Sequence, residues 1–209
     1  MQTIDTIVFD IGNVLLPWNP RWLFRTLLPD ETAVERFLRD VGFDTWNARF
    51  DAGEPMAQGI ARHSELFPHY RALFEAFQVR WEETLGVPDP AILALKQELR
   101  AAGYRVLALT NFSAETFPRA RRRHPFLADF DGIVVSGEVG LTKPDPAVYT
   151  LLCDRHGVRP QNAVFVDDSL VNVEGARAVG MAGVHFHDAA TLRAQLAALG
   201  VLSGKAASR

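Results

Sequence analysis

Cysteine is all but missing from this sequence: the 209 residues include one, Cys153. A lone thiol closes no internal disulfide, so packing and hydrogen bonds must hold the fold. In AVYTLLCDRHG the apolar residues recur at helical spacing, and Cys153 reads as a small hydrophobe on a buried helix face. Neither sign of charge dominates. Twenty-two Lys and Arg against 25 Asp and Glu leave a formal charge of -3, with a pI near 6.1. That balance supplies no general attraction to nucleic acid or to an anionic membrane. Four arginines in FPRARRRHPF (Arg119, Arg121, Arg122, Arg123) form a local basic cluster, which reads as a solvated helix face. No apolar run is long enough to span a bilayer. The opening MQTIDTIVFD has acidic residues where a leader would have basic ones. The expectation is a cytoplasmic globular protein, monomer or homodimer, with no nucleic-acid and no membrane partner.

Apolar residues make up 48% of the chain, enough for one good core or a core with a small inserted module. Five short runs rich in β-formers read as strands buried on both faces: TIVF at 6–9, RVLAL at 105–109, GIVV at 132–135, AVFV at 163–166 and AGVHF at 182–186. Helical patterns alternate with them at 90–103, 145–157, 169–180 and 188–200, most of them starting at Asp or Pro and ending at Gly. This alternation predicts an open α/β sheet. Residues 14–88 break the rhythm. They hold all four tryptophans (Trp18, Trp22, Trp46, Trp81) and several amphipathic stretches without a convincing strand. They read as an inserted helical module, with the tryptophans mostly in its core. The tail at 204–209 is expected to fray.

In open α/β sheets ligands gather beyond the carboxyl ends of the strands. Asp10 follows the first run, Thr110 and Asn111 the second, and Asp167 and Asp168 the fourth, while Lys143 lies in GEVGLTKPDP after the third. Each has an ordinary reading as a strand end, a turn or a helix cap. Four such features at four successive strand ends argue for a shared site. Three carboxylates around one lysine recruit a cation, and hard oxygen donors suit Mg²⁺, which completes its shell with water and substrate phosphate. Thr110 and Asn111 offer donors to phosphate oxygens, and Lys143 offers a fixed charge. Asp10 is then well placed to form an aspartyl-phosphate.

VFDIGNV, LALTN, GLTKPDPAVY and VFVDDSLVNVEGARAVG, in that order, resemble the four motifs of the haloacid dehalogenase-like hydrolase superfamily. The first has the FDIGNV form seen in its phosphatase-like branch. The resemblance covers essentially the whole chain. It implies a Rossmann-like core at 1–13 and 89–203 and a mobile α-helical cap at 14–88. It further implies Asp10 as nucleophile and magnesium ligand, Thr110 and Lys143 as phosphoryl-binding groups, and Asn111 as a contact to substrate. Asp168 would be a direct metal ligand, Asp167 would act through water or from behind, and Gly12 would give its carbonyl to the metal. Trp18 and Arg21, close behind motif one in LPWNPRW, are candidates for the substrate pocket, and Asn19 shares that stretch.

Gly12 is also where the sequence departs from the family. Its phosphatases usually carry a second Asp there as general acid and base, and glycine cannot move a proton. A missing general acid typically costs roughly 10² to 10⁴ in rate. Three accommodations are open: a leaving group that needs no proton, a proton carried by water or substrate, or an acid brought by the cap. The expected activity is Mg-dependent hydrolysis of a small phosphorylated metabolite, with sugar phosphates among the candidates. One alternative is a metal-independent 2-haloacid dehalogenase using the same Asp10, with Arg21 or Arg25 binding the substrate carboxylate. Another is a catalytically silent binding protein. His185 and His187 flank Phe186 on one side of a strand but lack a third partner for a metal.

Overall fold

A computed structural model describes residues 3–202 of the chain; the expected frayed tail at 204–209 lies outside the described residues. All five predicted strands are present: β1 (Thr6–Phe9), β2 (Arg105–Thr110), β3 (Gly132–Val135), β4 (Ala163–Asp167) and β5 (Ala182–His185). They form one parallel sheet in the order β3-β2-β1-β4-β5. The chain leaves β1 for one side of the sheet and returns to its other side with β4. The topological switch point, where such sheets bind ligands, therefore lies between β1 and β4. β2 and β4 each run one residue further than their apolar runs, so Thr110 and Asp167 are the last residues of their strands. Their side chains are thereby fixed by the sheet.

Five helices fill the interval between β1 and the rest: α1 (Pro20–Phe24), α2 (Glu31–Asp40), α3 (Phe43–Asp51), α4 (Met56–Leu66) and α5 (Arg71–Arg80). Asn19 and Asp30 cap α1 and α2, their side chains accepting from the Arg21 and Ala33 amides. The apolar stripes of these helices meet in an aromatic cluster. Trp46 packs against Phe43, Phe50, Phe74 and Phe77 at centroid distances of 4.9–5.6 Å, and Phe24 meets Phe37 edge to face and stacks on Phe77. Trp46 and Trp81 are buried, as expected of core tryptophans, whereas Trp22 is exposed. Its ring instead lies across Gly86, where no side chain stands in its way.

The alternating half of the chain continues with α6 (Pro90–Ala101), α7 (Phe117–Arg123), α8 (Ser136–Val139), α9 (Pro146–His156), α10 (Leu170–Ala178) and α11 (Ala189–Ala198). α9 ends at Gly157 in the left-handed conformation that glycine adopts without steric cost, and Cys153 is buried on this helix. Lys96 was not expected inside, yet it is 1% exposed on α6. Its Nζ donates to the Phe126 carbonyl at 3.1 Å and sits 3.9 Å from the Phe130 ring centroid. The aromatic cluster of the insertion runs without a break into Ala108, Phe112, Phe117 and Val135 of the sheet side. Trp81 and Phe112 meet across that junction at 5.4 Å. Among the described residues, no helix is long and apolar enough to cross a membrane.

Candidate active site

Asp10 leaves β1 with its amide bonded to the Val166 carbonyl of β4 at 2.8 Å, so the first and fourth strands carry their carboxylates to the same point. Ligand atoms of Asp10, Asp167 and Asp168 lie within 4.8 Å of one another. Lys143 reaches between them, its Nζ 2.9 Å from Asp10 Oδ1 and 2.7 Å from Asp167 Oδ2. Burial works against the Lys143 charge, yet the carboxylates of Asp10 and Asp167 hold its pKa above the ordinary lysine range. Burial pushes the Asp10 carboxyl up to about 6 in spite of Lys143, and burial followed by the Asp167 charge raises Asp168. An excess of buried negative charge raises carboxyl pKa values in this way until a cation enters.

The roles of the four stations differ. Asp167 is saturated: besides Lys143 it accepts from the Ser169 amide at 2.7 Å and, through both oxygens, from Asn172 Nδ2 at 3.1 Å. A carboxylate has about four lone-pair sites, so these contacts leave it to orient Lys143. Asn111 is engaged too. Its amide donates to the Lys143 carbonyl at 3.0 Å and its oxygen accepts from the Lys143 amide at 2.8 Å, a two-point clasp that positions the lysine while one face of Asn111 lines the cavity. Thr110 is the opposite case. Its hydroxyl is buried and has no partner among the described residues. Such a donor costs roughly 1–3 kcal/mol unless a ligand takes it.

A cavity of about 180 Å³ opens beside these groups, and of them Asp10, Asn111 and Asp168 line it, while Thr110, Lys143 and Asp167 lie behind its surface. Asp10, Gly12, Asn13 and Asp168 form its floor, Trp18, Phe50, Met56, Phe77 and Trp81 an apolar wall, and Asn47, Asp51 and Ser113 a polar one. None of its lining residues is Lys or Arg. Asn13, at φ 54, turns the loop so that its side-chain oxygen accepts from the Trp18 amide at 2.9 Å and its amide meets Asp168. Trp18 therefore reaches the cavity as expected, and Arg21 does not. Its guanidinium is held by Glu35 on the outer side of α1, with Nε to Oε1 at 2.6 Å. Asn19 is occupied as the α1 cap, and Arg25 is paired with Glu31. The His185 and His187 rings lie 4.4 Å apart, His185 against the Asp168 carbonyl. The one group of three or more potential metal-ligating side chains among the described residues is the aspartate cluster.

Sequence reasoning missed Asp51. Its carboxylate accepts from Asn47 Nδ2 at 3.0 Å and from the Ser113 amide. Burial, and then the charge of Asp10, push it up to about 7. Its own carbonyl accepts from Ser136 Oγ at 2.5 Å, while that same oxygen accepts from the Phe112 amide at 2.9 Å. The end of α3 is thus pinned to the ends of β2 and β3. The one signal in the sequence is the turn that follows, where Gly53 at φ 98 comes so close to the core that a Cβ there would lie 3.1 Å from the Gly137 carbonyl.

Known proteins resemble this chain over most of its length. A model of the haloacid dehalogenase-like hydrolases matches residues 4–180. The sesquiterpene phosphatase astK of Aspergillus oryzae is 29% identical over 188 residues, which is 89% of this chain and 91% of that protein. An (S)-2-haloacid dehalogenase of a Pseudomonas species is 35% identical over 82 residues, 39% of this chain and 36% of the dehalogenase. Among solved structures, a HAD family enzyme of Bacteroides thetaiotaomicron in complex with magnesium and inorganic phosphate superposes with a TM-score of 0.71. It is 19% identical, covering 90% of this chain and 98% of that one, a likeness of fold.

Proposed function

The chain belongs to the haloacid dehalogenase-like hydrolases, and from that membership we propose that it is a magnesium-dependent phosphomonoester hydrolase acting through an aspartyl-phosphate on Asp10. The observation that carries this reading is the charge of the cavity: Asp10, Asp51 and Asp168 line it, no cationic side chain does, and Lys143 stands behind Asp10. A phosphate enters such a site only together with a cation. A metal-free 2-haloacid anion would meet the same repulsion without compensation, and the arginines suited to its carboxylate are paired with Glu35 and Glu31 elsewhere. The acidic cluster therefore favours phosphatase over dehalogenase.

The donor set fits Mg²⁺: the carboxylates of Asp10 and Asp168 with the Gly12 carbonyl would hold it, and Asp167 would act from behind. When bound, the ion neutralises phosphate charge and polarises the phosphoryl group. Lys143, oriented by Asp167 and Asn111, neutralises Asp10 from behind as the phosphoryl oxygens enter. Thr110 supplies the hydroxyl that takes one of those oxygens. Asp10 then attacks phosphorus in line with the departing oxygen, which faces the apolar and polar walls.

We assign those walls, Ser113 apart, to a helical cap at 14–88 over a core at 1–13 and 89–203. A cavity of about 180 Å³ is smaller than typical drug-sized sites of roughly 300–1,000 Å³, which suits a small phosphorylated metabolite. Aromatic faces beside Asn47 and Ser113 suit an alcohol with one apolar side, sugar rings among them. Phosphate release from a panel of phosphomonoesters, with and without Mg²⁺, tests the reading. We expect metal-dependent release that Asp10→Asn abolishes. Halide release from 2-haloacids without metal, in the absence of phosphatase activity, would establish the alternative.

A further inference from the structure

Resting on that phosphatase reading, we infer that Asp51, a residue of the inserted helices, is the general acid and base that motif one lacks at Gly12. Three observations place it there. Asp51 lines the same cavity as Asp10 and Asp168. It is held in place rather than left on a loose flap: Asn47 and the Ser113 amide fix its carboxylate, and Ser136 fixes its carbonyl to the strand ends. Finally, the place where the family's usual acid would stand is open, since a Cβ on Gly12 would meet nothing within 4 Å. The cavity thus keeps one carboxyl for proton transfer, delivered by the inserted helices.

Burial and the neighbouring Asp10 charge favour the protonated form of Asp51 near neutrality, the state an acid needs at the start of the reaction. Besides Asp51 itself, the ionisable groups that act on it are Asp10 and Lys143. Asn47 and Ser113 face it as neutral partners.

The step balances as follows. An Asp10 carboxylate oxygen bonds to phosphorus and the ester P–O bond breaks. The departing oxygen keeps the bonding pair and takes the Asp51 proton, so the alcohol leaves neutral and Asp51 becomes a carboxylate. Water then attacks phosphorus and gives a proton to Asp51. The bond between phosphorus and Asp10 breaks, releasing phosphate and restoring both aspartates.

The test compares kcat/KM of this chain and its Asp51→Asn variant, in Mg²⁺, on glycerol 3-phosphate and on acetyl phosphate. The alkoxide of the first needs a proton, and the carboxylate released from the second does not. The expected result is a loss of roughly 10² to 10⁴ on glycerol 3-phosphate and a far smaller loss on acetyl phosphate. Retained acetyl phosphate turnover also shows that the variant is folded. The unsubstituted chain gives a second readout: an alkaline fall in kcat/KM for glycerol 3-phosphate that acetyl phosphate lacks. Equal losses on both substrates together with matching pH profiles would overturn the assignment and leave Asp51 a binding residue. Failure of the unsubstituted chain to release phosphate from either ester or from the wider panel would overturn the phosphatase reading, and this inference with it.

Discussion

Thr110 illustrates how a single residue can serve function against stability. The Thr110 hydroxyl is buried without a partner, so Thr110→Val removes an unsatisfied donor while keeping the shape. We expect the variant to melt at or above the parent, by up to about 1–3 kcal/mol. Phosphatase activity should fall by roughly 10² or more, the usual loss when a donor to a developing charge is removed. Thermal melts alongside phosphate release check both signs. Glu54 shows the reverse, a residue that serves stability alone. Its bonds to Arg62 and then Arg49 hold its carboxyl down to about 2, against the opposing effect of burial. A folded pKa below the unfolded value of about 4.3 contributes stability above that pH, and the contribution is lost as pH falls toward 2. Melting midpoints of parent and Glu54→Gln should therefore differ at pH 6, by about 1 kcal/mol or less for so solvated a cluster, and converge only below about pH 2. Of these residues the sequence marked Asp10, Thr110, Asn111, Asp167 and Asp168, because each follows or ends an apolar run, and Lys143, because it lies in the loop after the third run. Asp51 carried no such mark. Its place depends on how α3 docks, which local pattern does not encode, and Arg21 was misplaced for the same reason: its partner Glu35 lies one helix further on.

At the scale of elements, periodicity identified the five strands and the helices α6, α9, α10 and α11, since burial on both faces writes a continuous apolar run and burial on one face a helical repeat, while the one-turn α8 is too short to write one. The order of the strands was not legible, because neighbours in a parallel sheet are set by crossover packing. The helical insertion was legible as an absence of strands. Its internal register was not, and it rests on aromatic contacts around Trp46. Trp46→Ala should cost about 3–5 kcal/mol, read as a lowered denaturant midpoint. Gly137 is constrained more tightly, since an added Cβ would lie 2.5 Å from the Ala114 nitrogen and 2.8 Å from the Phe112 carbonyl. Neither atom can swing aside as a flexible side chain would. Gly137→Ala is expected to destabilise by at least about 1–3 kcal/mol and, by shifting Ser136, to weaken turnover of alkyl phosphates.

For the whole molecule, the apolar cluster that joins the insertion to the sheet predicts that the two unfold together. A single calorimetric transition, with equal calorimetric and van't Hoff enthalpies, is the expected outcome. Mg²⁺ with vanadate as a phosphate mimic should raise its midpoint, and Mg²⁺ alone by less. At a ligand concentration 100 times Kd the gain is about 2.7 kcal/mol, or roughly 5–10 °C for a chain of this size. The bond from Ser136 to the end of α3 has one more consequence. Asp51, the group we assign to proton transfer, is seated on the strand ends, whereas Met56, Phe77 and Trp81 line the cavity from parts of the insertion beyond that seat. On that assignment chemistry and selectivity can be inherited separately: a lineage, or a directed-evolution library, would exchange one substrate for another by varying those three side chains while the reaction itself is passed on intact.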